Sequence, residues 1–388
     1  MKVLHTSDWH LGHALYGHDR AEEQQSMLDQ MVEIVREHRP DVFLLCGDVF
    51  HISQPSSGAQ TMFSDALVSL RDACLEMTII VTAGNHDSAS RHEVFRTPWR
   101  SLGVHVIGNI HKDAPAEHII EIPGKGFVVA VPYAHERNIP EGFFQQLLDL
   151  TAQRNVDSLP VVLTAHTTVR GCDFMGHDQV NEYVVGGVDY IDVDALGEGY
   201  DYLALGHIHR GQFVHTGRHN VRYCGTPLPV SFDEDFPHTV SMVELAGHGE
   251  RPQINEIEIA NPRPLVTLPV EGFATFDNAL EALRAFPADV KAYIRLNVEV
   301  DGFLKPGAFD VAQQAAADKQ CTVCYINTYR KAVATAAAKA MSVQELQKET
   351  PLNLARRYAE DAGMVFDDEM AELFEEAMRQ VKEETRND

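Results

Sequence analysis

Five apolar, strand-like runs in this chain each lead into side chains that bind metal ions, and few folds accommodate that repetition. Val3-Leu4-His5-Thr6 precedes Asp8-Trp9-His10, and Val42–Cys46 precedes Gly47-Asp48. Thr78–Val81 runs into Gly84-Asn85-His86-Asp87, Val161–Leu163 into Thr164-Ala165-His166, and Tyr202–Leu205 into Gly206-His207-Ile208-His209. Short, fully apolar runs are the signature of buried strands, and residues 21–37 and 58–74 between them carry apolar side chains at helical spacing. Alternation of this kind predicts an α/β protein, a mixed sheet flanked by helices. In such sheets the groups that do chemistry sit just beyond the strand ends, where these residues lie.

The polar set at those ends contains aspartate, asparagine and histidine and no cysteine. Oxygen and nitrogen donors without thiolate suit Mn²⁺, Fe²⁺ or Zn²⁺, and suit Mg²⁺ less because of the imidazoles. Asp8 and His10 are two residues apart, as are His207 and His209, so each pair points to one side of an extended segment. Two divalent cations roughly 3.5–4 Å apart, sharing a carboxylate, account for every member of the set. The chemistry implied is hydrolysis of a phosphoester.

Asn261-Pro262-Arg263-Pro264 interrupts regular structure and predicts a boundary, with a first domain over 1–262. Residues 263–330 read as a small βαβαβ unit: strand at Val266–Val270, helix at 276–285, strand at Ala292–Val300, helix at 307–318, strand at Thr322–Asn327. Residues 331–388 carry no strand signal and form a helical tail. Its last part places Met370, Leu373, Phe374, Ala377, Met378 and Val381 on one face, which either packs back on the protein or docks on a partner's helix, the second being the preferred reading. Cys321 and Cys324 spell CxxC inside a strand pattern and lack the second pair a zinc site needs, so the reading is structural. No window approaches the roughly 18 apolar residues of a membrane span, and the start of the chain turns polar too soon for a secretory signal. A cytoplasmic protein with no membrane contact is expected.

The formal charge of −25 is unusual for a chain that would grip nucleic acid unaided. Two basic clusters beside ligand stretches, Arg91-His92-Arg96-Arg100 and Arg210-Arg218-His219-Arg222, are candidates for substrate contact. Most other histidines, among them His13, His18, His111, His118 and His248, match no motif and read as surface residues. Trp9 reads as a packing residue.

Taken in order, the five stretches are similar to the signature of calcineurin-like metallophosphoesterases. The longer strings His5–Gly12, Gly47–His51, Ala204–His209 and Tyr223–Leu228 resemble the nuclease subunits of SbcCD-type double-strand-break-repair complexes. That resemblance implies a four-layer metallophosphoesterase sandwich with a small βαβαβ capping domain that selects DNA. It implies one metal on Asp8, His10, Asp48 and His209 and a second on Asp48, Asn85, His166 and His207, with Mn²⁺ the expected ion. His86 would be the catalytic residue, protonating the leaving oxygen or stabilising the transferring phosphoryl group, a task that suits imidazole. His51 would touch a substrate phosphate, and Asp87 would orient His86 or a ligand. The implied activities are 3′–5′ exonuclease action on duplex DNA and endonuclease action on single strands and hairpins, in repair, recombination and replication. The implied assembly is a homodimer within a heterotetramer, the tail docking on an SbcC-type SMC-like ATPase that supplies the missing positive surface. Two rivals are a phosphatase or phosphodiesterase of small substrates on the same fold, and a non-catalytic scaffold. The capping unit and tail argue against the first and the complete ligand set against the second.

Overall fold

The computed structural model describes residues 1–174, 190–215, 217–330 and 350–361, with a few positions between 366 and 374. Most of the tail, including Ala377, Met378 and Val381, lies outside the described residues. The chain opens with β1 (Lys2–Thr6), the small hairpin β2 (Ala14–Leu15) and β3 (His18–Asp19), α1 (Ala21–His38), β4 (Val42–Cys46) and α2 (Ser57–Ala73). Then follow β5 (Thr78–Thr82), the short α3 (Ala89–Val94) and α4 (Arg96–Ser101), β6 (Val104–Ile107), β7 (Ile119–Ile122), β8 (Gly126–Val129) and α5 (Phe143–Arg154). After these come β9 (Val161–His166), β10 (Tyr202–Gly206), β11 (Gln212–Phe213), β12 (Val221–Tyr223), β13 (Thr239–Glu244) and β14 (Gln253–Glu258).

Two six-stranded sheets organise these elements, in the orders β14-β13-β1-β4-β5-β6 and β11-β12-β10-β9-β8-β7. Strand periodicity builds the layers, because alternate residues face opposite sides. Ile80 and Leu44 turn inward, with Val128, Val162 and Ala204 of the second sheet, into one core between the sheets. Ile79, Val81, Phe43 and Leu45 turn outward and pack with Met27, Leu28 and Met31 of α1 and Phe63, Leu67 and Leu70 of α2. On the far side Leu163, Leu203 and Leu205 pack with Phe143, Leu147 and Leu148 of α5. The result is the four-layer helix–sheet–sheet–helix sandwich. Ser56 caps α2 by accepting the Ala59 N–H at 3.2 Å.

A three-stranded sheet, β15 (Leu265–Leu268), β16 (Tyr293–Val300) and β17 (Thr322–Arg330), carries α6 (Phe276–Ala285) and α7 (Ala308–Ala315). Thr275 caps α6, and Ala279, Leu280 and Leu283 are its buried face. One compact unit takes in Met1–Val298 and Lys305–Asn327, so most of the small sheet belongs with the two large ones. The second unit, Glu299–Leu304 with Thr328–Asp388, contains α8 (Pro351–Asp361), and there the Arg330 guanidinium lies 4.2 Å from the Phe303 ring centre. No helix among the described residues is long and apolar enough to cross a membrane. Cys321 and Cys324 are buried free thiols, and Cys324 packs with Leu15, Phe232 and Tyr293.

Candidate metal centre

β1, β4 and β5 run parallel, as do β9 and β10, so all five ligand stretches emerge at strand C-termini. Leaving the strands sharply requires backbone that L-residues seldom adopt: φ is 54° at Asp8, 46° at His10, 49° at Asp48 and 95° at His207. Each such residue costs about 1–3 kcal/mol, which only a surrounding structure that fixes it can sustain. Four of the predicted ligands carry this strain. Glycines make the close approaches possible: a Cβ on Gly84 would lie 2.1 Å from Asp48 Oδ1, and one on Gly47 would lie 2.2 Å from His166 Nδ1.

The side chains converge into two groups. Asp8, His10 and His209 have ligand atoms within 4.8 Å of one another, as do Asp48, His166 and His207. Asn85 Oδ1 closes the second group, 2.9 Å from His166 Nε2 and 3.0 Å from His207 Nδ1. Asp48 Oδ2 lies 3.4 Å from His166 Nε2 and 3.9 Å from His10 Nε2, between the two groups. His10 Nε2 and His209 Nε2 face each other at 3.2 Å.

Burial pushes the Asp8 carboxyl up from its usual range, and the Asp48 carboxylate adds to this. His10 is held well below its ordinary value by burial and by the His209, His86, His51 and His13 rings, leaving a neutral nitrogen donor. Burial works against protonation of His166, but Asp48 outweighs it and lifts the ring to about 9. At His209 burial is likewise outweighed, here by Glu234, and the ring again reaches about 9. Sites that draw protons so strongly are electron-rich, and a divalent cation competes for the same lone pairs.

Residues 1–211 match the family model for calcineurin-like phosphoesterases. The chain is 32% identical over 311 residues to the SbcD subunit of the Rhodobacter capsulatus nuclease SbcCD, covering 73% of this chain and 75% of that one. It is 31% identical over 287 residues to the SbcD subunit of Bacillus subtilis (69% and 71% covered) and 28% identical over 331 residues to that of Escherichia coli K12 (78% and 79%). The chain is a calcineurin-like phosphoesterase of the SbcD family.

In this phosphoesterase His86 stands beside the ligand groups, its ring centre 5.0 Å from that of His10. Its backbone N–H donates to Asp48 Oδ1 at 2.9 Å and its Nδ1 donates to the His51 carbonyl at 2.8 Å. A carbonyl only accepts, so a proton sits on Nδ1. His51 packs its ring 5.6 Å from His10 and 5.8 Å from His86. The Asp87 side chain is unexposed. Its carboxylate accepts the N–H groups of Gly84, Val49 and Phe50 at 2.8, 3.1 and 3.0 Å, which ties the Asp48 loop to the Asn85 loop.

Several sequence readings change in this phosphoesterase. His13 and His118 are not surface residues: His13 packs 4.6 Å from His51, and wholly buried His118 donates to the Ala130 carbonyl. His92 is buried and faces Asp87 at 3.5 Å. Arg222 is 1% exposed and paired with Glu256 at 2.6 Å, so it lies inside the fold, and Arg210 and Arg218 pair with Asp173 and Asp194. Trp9 is a buried packing residue, as its sequence reading has it, set against Phe43 and donating to Thr6 Oγ1. The buried carboxylate of Glu234, 2.8 Å from His209 Nδ1, is not legible in the sequence, because it sits in an acidic turn that resembles ordinary surface.

Proposed function

We propose that this phosphoesterase is the metal-dependent DNA nuclease subunit of a complex with an SbcC-type SMC-like ATPase. The observation that carries the two-cation reading is Asp48 Oδ2 standing between two groups of nitrogen and oxygen donors. The donor set fits divalent cations, with Asp8, His10, Asp48 and His209 holding one and Asp48, Asn85, His166 and His207 the other. When bound, the cations, Mn²⁺ by family resemblance, polarise the phosphoryl group and make water nucleophilic at neutral pH. His86 keeps its Nδ1 proton on the His51 carbonyl and, in its imidazolium form, presents Nε2–H to the leaving oxygen. It passes that proton as the phosphoester bond breaks and the P–O bond to water forms. His51, packed against both His10 and His86, stabilises the substrate phosphate. Asp87 keeps Asp48 and Asn85 in register by bonding the loops that carry them.

That the ester is DNA rests on the relatives, which are named as nuclease subunits. The 3′–5′ exonuclease and hairpin or single-strand endonuclease activities follow from the same resemblance, as do the small capping unit, the homodimer within a heterotetramer and docking through the tail. The charge of −25 supports a partner that supplies part of the DNA-binding surface. The test assays purified protein with Mn²⁺, alone and with the ATPase, on labelled hairpin DNA and on a chromogenic phosphodiester. Cleavage of both is expected. Turnover of the small ester with no DNA cleavage in either setting rejects the nuclease reading.

A further inference from the structure

Glu234 is a charged side chain with no exposed surface. Its Oε1 accepts from His209 Nδ1 at 2.8 Å, and its Oε2 accepts the Val230 N–H at 3.2 Å. An ionised carboxylate only accepts hydrogen bonds. The shared proton therefore sits on Nδ1, and in the neutral ring the His209 lone pair is at Nε2, the atom that faces His10 beside Asp8. The other imidazole of that group has no such support, because Nδ1 of His10 is buried without a hydrogen-bond partner. The turn carrying Glu234 is held by the small sheet and the hairpin: the Arg295 guanidinium lies 5.4 Å from the Phe232 ring, Asp233 pairs with Arg295, and Phe232 sits 6.0 Å from Tyr16.

We propose that Glu234 is a positioning residue whose carboxylate fixes His209 in the Nδ1–H tautomer and thereby sets the divalent-cation affinity of the Asp8–His10–His209 group. This rests on the two-cation reading above. Carboxylate partners orient metal-binding imidazoles and raise their basicity, and their loss costs about 10- to 100-fold in metal affinity. Arg295 acts one step further out, by fixing the turn.

The test uses the full chain and Mn²⁺ alone, with bound ion counted by electron paramagnetic resonance, beside ¹⁵N long-range NMR of the His209 ring in metal-free protein above pH 9, where the ring is neutral. Wild type is expected to bind two Mn²⁺ and to show the Nδ1–H tautomer. Glu234→Gln keeps the shape and the Val230 contact but offers an amide that can also donate to Nδ1. One Mn²⁺ should then bind about 10- to 100-fold more weakly, with the other unchanged and the ring shifted toward Nε2–H. Glu234→Asp, which restores the charge on a shorter stem, should recover part of the affinity. Unchanged affinities in Glu234→Gln, or equal weakening of both ions with an unchanged tautomer, overturns the proposal. A wild type that binds fewer than two ions overturns the two-cation reading instead, and the tautomer of the metal-free ring, read above pH 9 where it is neutral, still decides the role of Glu234.

Discussion

Asp87 is the side chain whose removal most directly tests how the Asp48 and Asn85 loops are held. Its carboxylate is unexposed and collects three N–H groups, with Oδ2 serving Gly84 and Val49 and Oδ1 serving Phe50 beside His92. Burial pushes its carboxyl up, but His92 and the N–H groups pull it below the usual range, so it is ionised at neutral pH. Hydrogen bonds to a charged acceptor contribute about 1.5–3 kcal/mol each, so three give about 4.5–9 kcal/mol, and partial solvation of the freed N–H groups in Asp87→Ala brings the expected loss to about 4 kcal/mol. Asp87→Asn is milder. An amide oxygen can still serve Gly84 and Val49, while its NH₂ meets Phe50, which predicts a loss of about 1–2 kcal/mol. Urea unfolding followed by circular dichroism measures both, and Mn²⁺ titration should show weakened binding that follows the same order. Two variants within about 0.5 kcal/mol of wild type, the range of ordinary surface changes, would refute the claim that Asp87 ties the two loops together.

Three further outcomes follow from the same geometry. His86→Ala should lower hydrolysis about 100-fold or more while leaving Mn²⁺ binding near wild type, measured with a chromogenic phosphodiester; undiminished cleavage removes His86 from the chemistry. Because Asp48 lies between the groups, Asp48→Ala should weaken both Mn²⁺ ions and Asn85→Ala chiefly one, and chelation should abolish activity that added Mn²⁺ restores. His5 is buried and held down to about 3 by burial and by Arg222. The unfolded chain therefore takes up a proton there between pH 6.5 and 3 that the folded chain does not. Its stabilising contribution is full above pH 6.5 and falls by about 1.4 kcal/mol per pH unit below it, about 2 kcal/mol by pH 5. His5→Asn should flatten the urea-unfolding difference between pH 7 and pH 5 by that amount.

Much of the sheet was legible because buried parallel strands announce themselves locally. Val42–Cys46 falls where its apolar run lies, and α6 spans residues 276–285 as its spacing predicts. β13 and β14 were missed. In β14 the largely polar Gln253-Ile254-Asn255-Glu256-Ile257-Glu258, half-buried only at its two isoleucines, resembles a polar linker, and it becomes a strand only because β13 offers it an antiparallel edge. Strand β15 stops at Leu268, short of Val270, because Pro269 cannot donate to a ladder.

Which residue types gather at strand ends, and hence the phosphoester chemistry they can support, is written in the sequence, because both strand propensity and side-chain identity are local properties. Where those side chains meet is not. Asp8 receives the backbone N–H of His207, 199 residues away, and His166 donates to the Cys46 carbonyl across 120. The left-handed backbone at Asp8, His10, Asp48 and His207 is likewise set by the packing around it, against each residue's own preference. Glu234 shows the same division: its sequence context reads as solvated surface, and only burial against His209 brings it to the candidate metal centre. Long-range packing decides such contacts, since a carboxylate enters a low-dielectric interior only where a partner from elsewhere in the chain offsets its desolvation.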